Sequence, residues 1–214
     1  GKWSLGDAGT VGRATNQGFD MWFGYLNQDH AHYYFTEYLD DNEGRLELTG
    51  NRESRQQYSH DLLTDRALKF IRTSTADPFF LYAAYTVPHF SAKEEDPHGL
   101  AVPSTDPYSD RDWDAKSKKY AAMVHRLDRD VGQIMRLVDE LQLRERTLII
   151  FTSDNGPWYF GRSNGHKRRY PNWQEHGGSA LPLRGAKTAT WEGGLRVPCV
   201  MRAPGKIPPG LVCD

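Results

Sequence analysis

The pattern of apolar and polar residues along the chain predicts two long helices and three strands. Residues 58–73 are predicted to be a helix because their apolar side chains fall on one face, and residues 114–143 carry a longer stripe with the same period. Short apolar runs at 79–85 and 147–152 predict buried strands, and the run at 196–202 predicts a third. Helices and apolar strands in alternation predict an α/β fold.

The segments between these elements have the composition of loops and turns. Residues 1–56 are predicted to be an irregular loop region with short strands near 43–48, and residues 57–214 to be a helix and strand core with active-site loops. Prolines and charged residues at 91–113 predict a surface excursion, and the Pro- and Gly-rich stretch 204–210 predicts a turn.

Composition and charge exclude several classes of protein. With 214 residues, 38% of them hydrophobic, the chain can bury a core. Its 27 basic and 28 acidic residues nearly cancel, so there is no basic field for a nucleic-acid partner. The longest apolar stretch is about half of a membrane span. Cys199 and Cys213 do not make a disulfide framework, and Cys199, within an apolar run, is predicted to be a buried thiol.

A cluster of oxygen-bearing side chains ends the predicted strand at 147–152. Ser153, Asp154, Asn155 and Gly156 follow the apolar run directly. Ligands of open α/β folds bind outside the carboxyl ends of strands. Carboxylate and amide oxygens suit Ca²⁺ or Mg²⁺ rather than zinc. Taken alone, these residues also fit an ordinary turn that closes a strand.

Three further segments carry residues suited to binding an oxyanion. Lys187 lies close to Gly185 and shortly before a Glu-Gly-Gly segment, where glycine permits close approach of a ligand and lysine supplies a point charge. His89 follows the predicted strand 79–85, and Lys2 stands between Gly and Trp. Each has an ordinary alternative, namely a surface lysine or a structural histidine.

Taken together and in order, these segments resemble one family. The chain contains, in order, Gly-Lys-Trp-x-Leu-Gly, a predicted strand ending in Pro-His, the helix from Tyr120, Thr-Leu-Ile-Ile-Phe-Thr-Ser-Asp-Asn-Gly and Leu-Arg-Gly-Ala-Lys-Thr-Ala-Thr-Trp-Glu-Gly-Gly. This series is similar to that of the type I sulfatases, the arylsulfatase family of the alkaline-phosphatase-like superfamily. The resemblance covers nearly the whole chain. It implies a partial alkaline-phosphatase-like sheet sandwiched by helices and incomplete at both ends.

The resemblance implies a role for each candidate residue. Asp154 and Asn155 would be two ligands of a Ca²⁺ ion, in preference to Mg²⁺. Lys187 would contact a sulfate oxygen, and His89 would hydrogen-bond a sulfate oxygen and assist departure of the leaving group. Lys2 would stand between the nucleophile and the sulfate. Hydrolysis of a sulfate ester needs a metal, cations around the sulfuryl oxygens and a proton donor, so the chemistry agrees with these roles.

The chain departs from the family pattern at its nucleophile. Members carry Cys/Ser-x-Pro/Ala-x-Arg, whose first residue becomes formylglycine, together with an Asp-Asp pair that completes the metal site, both upstream of Gly-Lys-Trp. Neither occurs here, since Cys199 is followed by Val-Met-Arg. We therefore interpret the chain as an internal piece of a longer protein, inactive by itself, with formylglycine supplied from upstream sequence.

A second departure lies at position 4. Many members have histidine there, which helps to regenerate the aldehyde from the sulfated hydrate, whereas this chain has Ser4. A serine hydroxyl cannot take up a proton near neutral pH as imidazole does. His30 and His32 are candidates for a replacement base; otherwise the step is slower.

The function that the resemblance implies is hydrolysis of a sulfate monoester on a carbohydrate or small molecule. The basic, aromatic stretch 158–178 would grip a sulfated sugar, or is a solvated loop. Two alternatives remain, a phosphate or phosphonate ester hydrolase of the same superfamily and a non-catalytic module that keeps only the fold. The family implies a periplasmic, extracellular or lysosomal location.

Overall fold

The helices and strands of the fold follow the predicted order, except that the strand predicted at 79–85 is not formed. The computed structural model describes residues 1–91, 99–158 and 178–213. Its helices are α1 (Asn51–Ser54), α2 (Ser59–Thr73), α3 (Ala115–Glu140) and α4 (Glu192–Leu195), and its strands are β1 (Phe23–Gly24), β2 (Tyr38–Asp41), β3 (Gly44–Glu47), β4 (Ile149–Thr152) and β5 (Cys199–Arg202). The chain forms two compact units, Gly1–Leu137 and Val138–Asp214.

Both long helices form where the apolar period predicts them. In α2 the buried apolar side chains are Leu63, Ala67, Leu68 and Ile71, which share one face. In α3 the predicted stripe is buried or half-buried along its length. Among the described residues, no helix is long and apolar enough to span a bilayer.

The first unit contains an antiparallel three-stranded sheet in the order β1-β2-β3. The β2–β3 hairpin turns at Asn42, whose φ of 51° lies in the left-handed region that asparagine tolerates. This hairpin lies within the region predicted to be irregular, near the predicted short strands. A hydrophobic cluster packs beneath the sheet, formed by Phe23, Tyr25, Ala31, Leu39, Leu48 and Leu63.

In the second unit, β4 pairs antiparallel with β5, with Ile149 opposite Arg202 and Thr152 opposite Cys199. The strand predicted at 147–152 is therefore confirmed, but not its burial, because Ile150 and Phe151 are 52% and 44% exposed. Each strand of this sheet has one neighbour among the described residues, and most side chains of both strands are exposed. Cys199 lies on the same sheet and is exposed, so the prediction of a buried thiol is wrong.

The predicted strand at 79–85 does not form. Its backbone makes one hydrogen bond that resembles sheet pairing, from the amide of Lys2 to the carbonyl of Ala84 at 2.9 Å, and Phe80 and Tyr82 are exposed. An apolar run becomes a strand only where a partner strand supplies its hydrogen bonds. The turn predicted at 204–210 is present.

Candidate functional site

In the second unit, β4 ends at the cluster of oxygen-bearing side chains that its sequence predicts. Asp154 is exposed, Asn155 is half-buried and Gly156 is buried. The Asn155 side chain donates from Nδ2 to the carbonyl of Gly156 at 3.0 Å. That bond uses the amide NH₂ group, so Oδ1 is the Asn155 atom that can bind a cation.

Close backbone packing joins this corner to the segment that carries Lys187. The amide of Gly156 donates to the carbonyl of Gly194 at 3.0 Å, and the amide of Lys187 donates to the carbonyl of Pro157 at 2.9 Å. A Cβ atom at Gly156 would overlap the carbonyl oxygen of Gly193. Only glycine allows two backbones to approach this closely. The sequence-predicted residues Asp154, Asn155 and Lys187 therefore belong to one junction.

The Glu-Gly-Gly segment, which the sequence suggests is a turn, forms the one-turn helix α4. The amide of Gly193 donates to the carbonyl of Arg184 at 2.8 Å, and the amide of Arg196 donates to the carbonyl of Glu192 at 2.7 Å. A Cβ at Gly194 would overlap the carbonyl of Ala189. The helix thus closes the loop that begins at Arg184 and holds Lys187 within it.

The junction presents an oxygen pair and a cation. Lys187 Nζ lies 5.6 Å from the centroid of the Trp158 ring. Adjacent carboxylate and amide oxygens on an exposed corner fit a hard divalent cation such as Ca²⁺. Within 1–91, 99–158 and 178–213, no group of three or more His, Cys, Asp or Glu side chains is arranged to hold a metal.

In the first unit, Lys2 lies next to the end of β1 and is half-buried. It forms an isolated parallel bridge with Tyr25, and the amide of Trp3 donates to the Tyr25 carbonyl at 2.9 Å. Trp3 anchors the segment through its indole, which donates to the carbonyl of Gly12 at 2.7 Å and packs against Phe19. The conformation of Gly-Lys-Trp is therefore held from both sides.

His89 is held by one hydrogen bond of its ring and one of its own backbone carbonyl. Its Nδ1 lies 2.9 Å from the carbonyl of Phe90, and its own carbonyl accepts a hydrogen bond of 2.7 Å from the buried Tyr34 hydroxyl. A carbonyl can only accept, so Nδ1 carries the proton and the neutral ring has its lone pair on Nε2. His89 donates from Nε2 when it is protonated, as an acid toward a leaving group must be.

His32 connects the two first-unit candidates. Its ring centroid lies 5.1 Å from that of His89, and the charge of Lys2 acts on it. Burial lowers the pKa of His32 below the ordinary value of 6.5; the hydrogen bond to the Gln28 carbonyl opposes this shift, and Lys2 adds to it. The structure therefore brings the rings of His32 and His89 together in the first unit, and the charge of Lys2 acts on His32.

The other candidate base, His30, lies in a different environment. Its Nε2 is 2.6 Å from the Thr36 hydroxyl, and its ring contacts Tyr25 and Tyr38 at centroid distances of 4.9 and 4.2 Å. Burial is the main cause of its lowered pKa. It borders a polar cavity with Asp40 and Arg45 rather than the Lys2 segment.

A buried polar network in the first unit was not identified from the sequence. Asp130 on α3 and His60 on α2 have no exposed surface, and His60 Nε2 lies 3.1 Å from the Asp130 carboxylate. Thr64 donates to the same carboxylate at 2.9 Å, and Arg129 donates at 2.6 Å. A histidine at the start of one helix and an aspartate within an apolar stripe were the available signals.

The candidate residues thus form two sets, one in each unit. Lys2 and His89 belong to the first, and Asp154, Asn155 and Lys187 to the second. The basic, aromatic stretch proposed to grip a substrate lies mostly at 159–177, outside the described residues.

Comparison with known proteins identifies the family. The Sulfatase family matches residues 1–212. Human steryl-sulfatase is 36% identical over 166 residues, which are 74% of this chain and 24% of that protein. The N-acetylgalactosamine-6-sulfatase of Canis lupus familiaris is 30% identical over 99% of this chain and 38% of that protein.

Solved structures agree on the fold. Ps i-CgsB, crystallised with k-i-k-neocarrahexaose, matches with a TM-score of 0.72 and 27% identity over 97% of this chain and 44% of that one. The chain spans less than half of the length of each of these relatives. The expected alkaline-phosphatase-like α/β class is confirmed. The chain belongs to the sulfatase family.

Proposed function

We propose that the full-length protein hydrolyses sulfate monoesters and that this chain supplies part of its catalytic domain. The observation that carries the proposal is the glycine-packed junction, because it joins the oxygens of Asp154 and Asn155 to the loop of Lys187. Membership of the sulfatase family supports the same chemistry. A divalent cation held by these oxygens, together with the ammonium group of Lys187, would suit a substrate whose negative charge lies on sulfuryl oxygens.

Each candidate residue then has a defined task. Asp154 and Asn155 would hold Ca²⁺, which supplies positive charge to the sulfuryl oxygens when bound. Lys187 and Lys2 would place ammonium groups against the anionic substrate and the nucleophile. His89, protonated on Nε2, would give its proton to the departing oxygen. Formylglycine from upstream sequence would be the nucleophile.

The substrate class that we favour is a sulfated carbohydrate. Relatives are named for N-acetylgalactosamine-6-sulfate activity, and one solved relative holds a neocarrahexaose, whereas another relative is a steryl-sulfatase. The N-acetylgalactosamine-6-sulfatase of Canis lupus familiaris and Ps i-CgsB match 99% and 97% of this chain, whereas the human steryl-sulfatase and a bacterial N-acetylgalactosamine-6-O-sulfatase match 74% and 70% of it. Such substrates occur outside the cytosol, so we place the protein in the periplasm, outside the cell or in the lysosome.

The test compares two esters of the same phenol. The full-length protein should hydrolyse an aryl sulfate with a higher kcat/KM than the matching aryl phosphate, because the site is proposed to fit a singly charged monoester. Higher kcat/KM for the phosphate would favour the phosphate ester hydrolase instead. Absence of both activities, in protein shown by mass spectrometry to carry the aldehyde, would favour a non-catalytic module.

A further inference from the structure

Two imidazole rings lie side by side in the first unit. The His32 and His89 rings are 5.1 Å apart and nearly perpendicular, at 70°. A lone histidine is ordinarily structural, but two adjacent histidines place two proton-transfer groups together. The pair therefore needs an account beyond the single acid assigned to His89.

The hydrogen bonding of His32 determines which ring nitrogen can accept a proton. Nδ1 lies 2.9 Å from the carbonyl of Gln28, so this nitrogen carries the proton. The lone pair of the neutral ring is then on Nε2, which has no hydrogen-bond partner among the described residues. A backbone carbonyl that fixes the tautomer in this way is a common means of orienting a base.

Burial is the main reason that His32 is neutral near pH 7. Burial lowers the pKa of the ring, Lys2 lowers it further, and Asp29 and the Gln28 carbonyl act in the opposite direction without cancelling the effect. His89 faces it as a second imidazole. An unprotonated ring has a lone pair that can accept a proton and carries no charge with which to bind an anion.

His32 is also linked to the position where the sequence departs from its family. The Ser4 hydroxyl donates to Oε1 of Gln28 at 3.0 Å, and the backbone carbonyl of Gln28 holds the His32 ring. Ser4 and His32 therefore bind the side chain and the backbone of the same residue, Gln28. His30, two residues earlier, instead bonds Thr36 and packs between tyrosines.

The proton balance of the reaction requires a base as well as an acid. A sulfate monoester and water give an alcohol, sulfate dianion and a proton: the ester S–O bond breaks, an oxygen that derives from water bonds to sulfur, and one of the protons of that water goes to the alcohol oxygen. The second proton must be accepted when sulfate leaves. An acid and a base held side by side can perform both transfers without waiting for solvent.

We propose that His32 accepts this second proton at Nε2 and so acts as the catalytic base that partners the acid His89. The proposal rests on the proposed sulfatase function. It gives His32 the proton-accepting role for which the side chain of Ser4 is unsuited.

The test uses the full-length protein and the variant His32→Asn. The Asn amide can still donate to the Gln28 carbonyl, as Nδ1 does, but it has no basic atom in place of Nε2. We expect the first turnover with an aryl sulfate to release its phenol, and steady-state kcat to fall about 100-fold. Intact-mass analysis should then show sulfated enzyme accumulating in the variant and not in the wild type.

Two further variants control the interpretation. His125→Asn changes an exposed histidine on α3 and should match the wild type in kcat and in mass. Ser4→His in the His32→Asn background should restore part of the lost kcat by supplying an imidazole. If His32→Asn melts below the assay temperature, His32→Gln carries the same test, since its amide is no base either.

The possible results separate this proposal from the proposed function. Wild-type protein with no sulfatase activity would refute the function. With an active wild type, the role of His32 would be overturned if the kcat of His32→Asn were no lower than that of His125→Asn. It would also be overturned if the first turnover of His32→Asn slowed as much as its steady-state kcat and no sulfated enzyme accumulated. Retained first-turnover phenol release with trapped sulfate would support it.

Discussion

At the scale of single residues, Asp130 is the most strongly determined polar group of the first unit. Burial opposes its ionisation, but the interactions with His60, Arg129 and Thr64 outweigh that effect and hold its pKa well below the usual range. Gln133 donates a further hydrogen bond to the carboxylate at 2.7 Å. The carboxylate thus ties α2 to α3, the two helices that the apolar pattern predicts.

Replacing this carboxylate should be costly. Asp130→Asn removes the charge from a fully buried side chain and leaves donors unpaired, so we expect the free energy of unfolding to fall by about 3–5 kcal/mol. Urea denaturation of the full-length protein measures this change. The matched control, Asp128→Asn, changes an exposed carboxylate on the same helix and should alter stability by less than about 0.5 kcal/mol. Equal effects of the two variants would show that the network contributes nothing.

At the scale of elements, the end of β4 and the loop before α4 act together through their glycines. Gly156 and Gly194 are joined by a hydrogen bond of 3.0 Å, and neither position has space for a Cβ atom. The sequence predicts β4, β5 and the residues of the corner separately. It does not predict that their backbones touch, because such contact depends on the missing side chain of glycine and has no periodic signal.

A methyl group at this junction should separate the proposed metal ligands from Lys187. In Gly156→Ala the Cβ must push away the carbonyl of Gly193, so we expect kcat/KM for an aryl sulfate to fall about 100-fold. The control is Gly132→Ala in α3, where the nearest atom is the flexible end of Arg136 at 3.4 Å and where alanine favours the helix. Unchanged kcat/KM in Gly156→Ala would contradict the junction's proposed role.

The elements also show where a sequence pattern is insufficient. The apolar period identified α2 and α3, because one buried face is enough to determine a helix. The runs at 79–85 and 147–152 are equally apolar, yet only the second is a strand in the structure. Strand formation and burial depend on neighbours that are distant in sequence. The prediction that the Cys199 thiol is buried is wrong for the same reason.

At the scale of the whole molecule, two histidines, His30 and His32, affect how stability responds to mild acid. Burial lowers the pKa of both His30 and His32 below 6.5. The unfolded chain therefore binds protons at a higher pH than the folded chain does. The stabilising effect is present above pH 6.5 and is lost as the pH falls through the folded pKa values.

We therefore expect the full-length protein to become less stable as the pH falls from 7 to 5. Urea denaturation at several pH values measures the slope of the unfolding free energy. His30→Asn should reduce that slope, because it removes one histidine that is held neutral. Stability that rises on acidification, or a slope insensitive to His30, would contradict this assignment.

The candidate site was predictable to the extent that its residues occur in ordered motifs. Lys2, His89, Asp154, Asn155 and Lys187 were selected because they recur in the same sequence contexts as in sulfatases. The sequence could only offer His30 and His32 as equal candidates. Ring distances and the Gln28 hydrogen bond distinguish them, and these depend on how the chain turns at 30–32.

The most direct test of the central claim measures kcat/KM for an aryl sulfate in three forms of the full-length protein. The wild type should be active, and Lys187→Ala should lose at least about 100-fold because its ammonium group is proposed to bind a sulfuryl oxygen. Lys206→Ala changes an exposed lysine of the same unit and should match the wild type. If Lys187→Ala keeps the kcat/KM of Lys206→Ala, Lys187 does not serve sulfate ester hydrolysis and the account is contradicted.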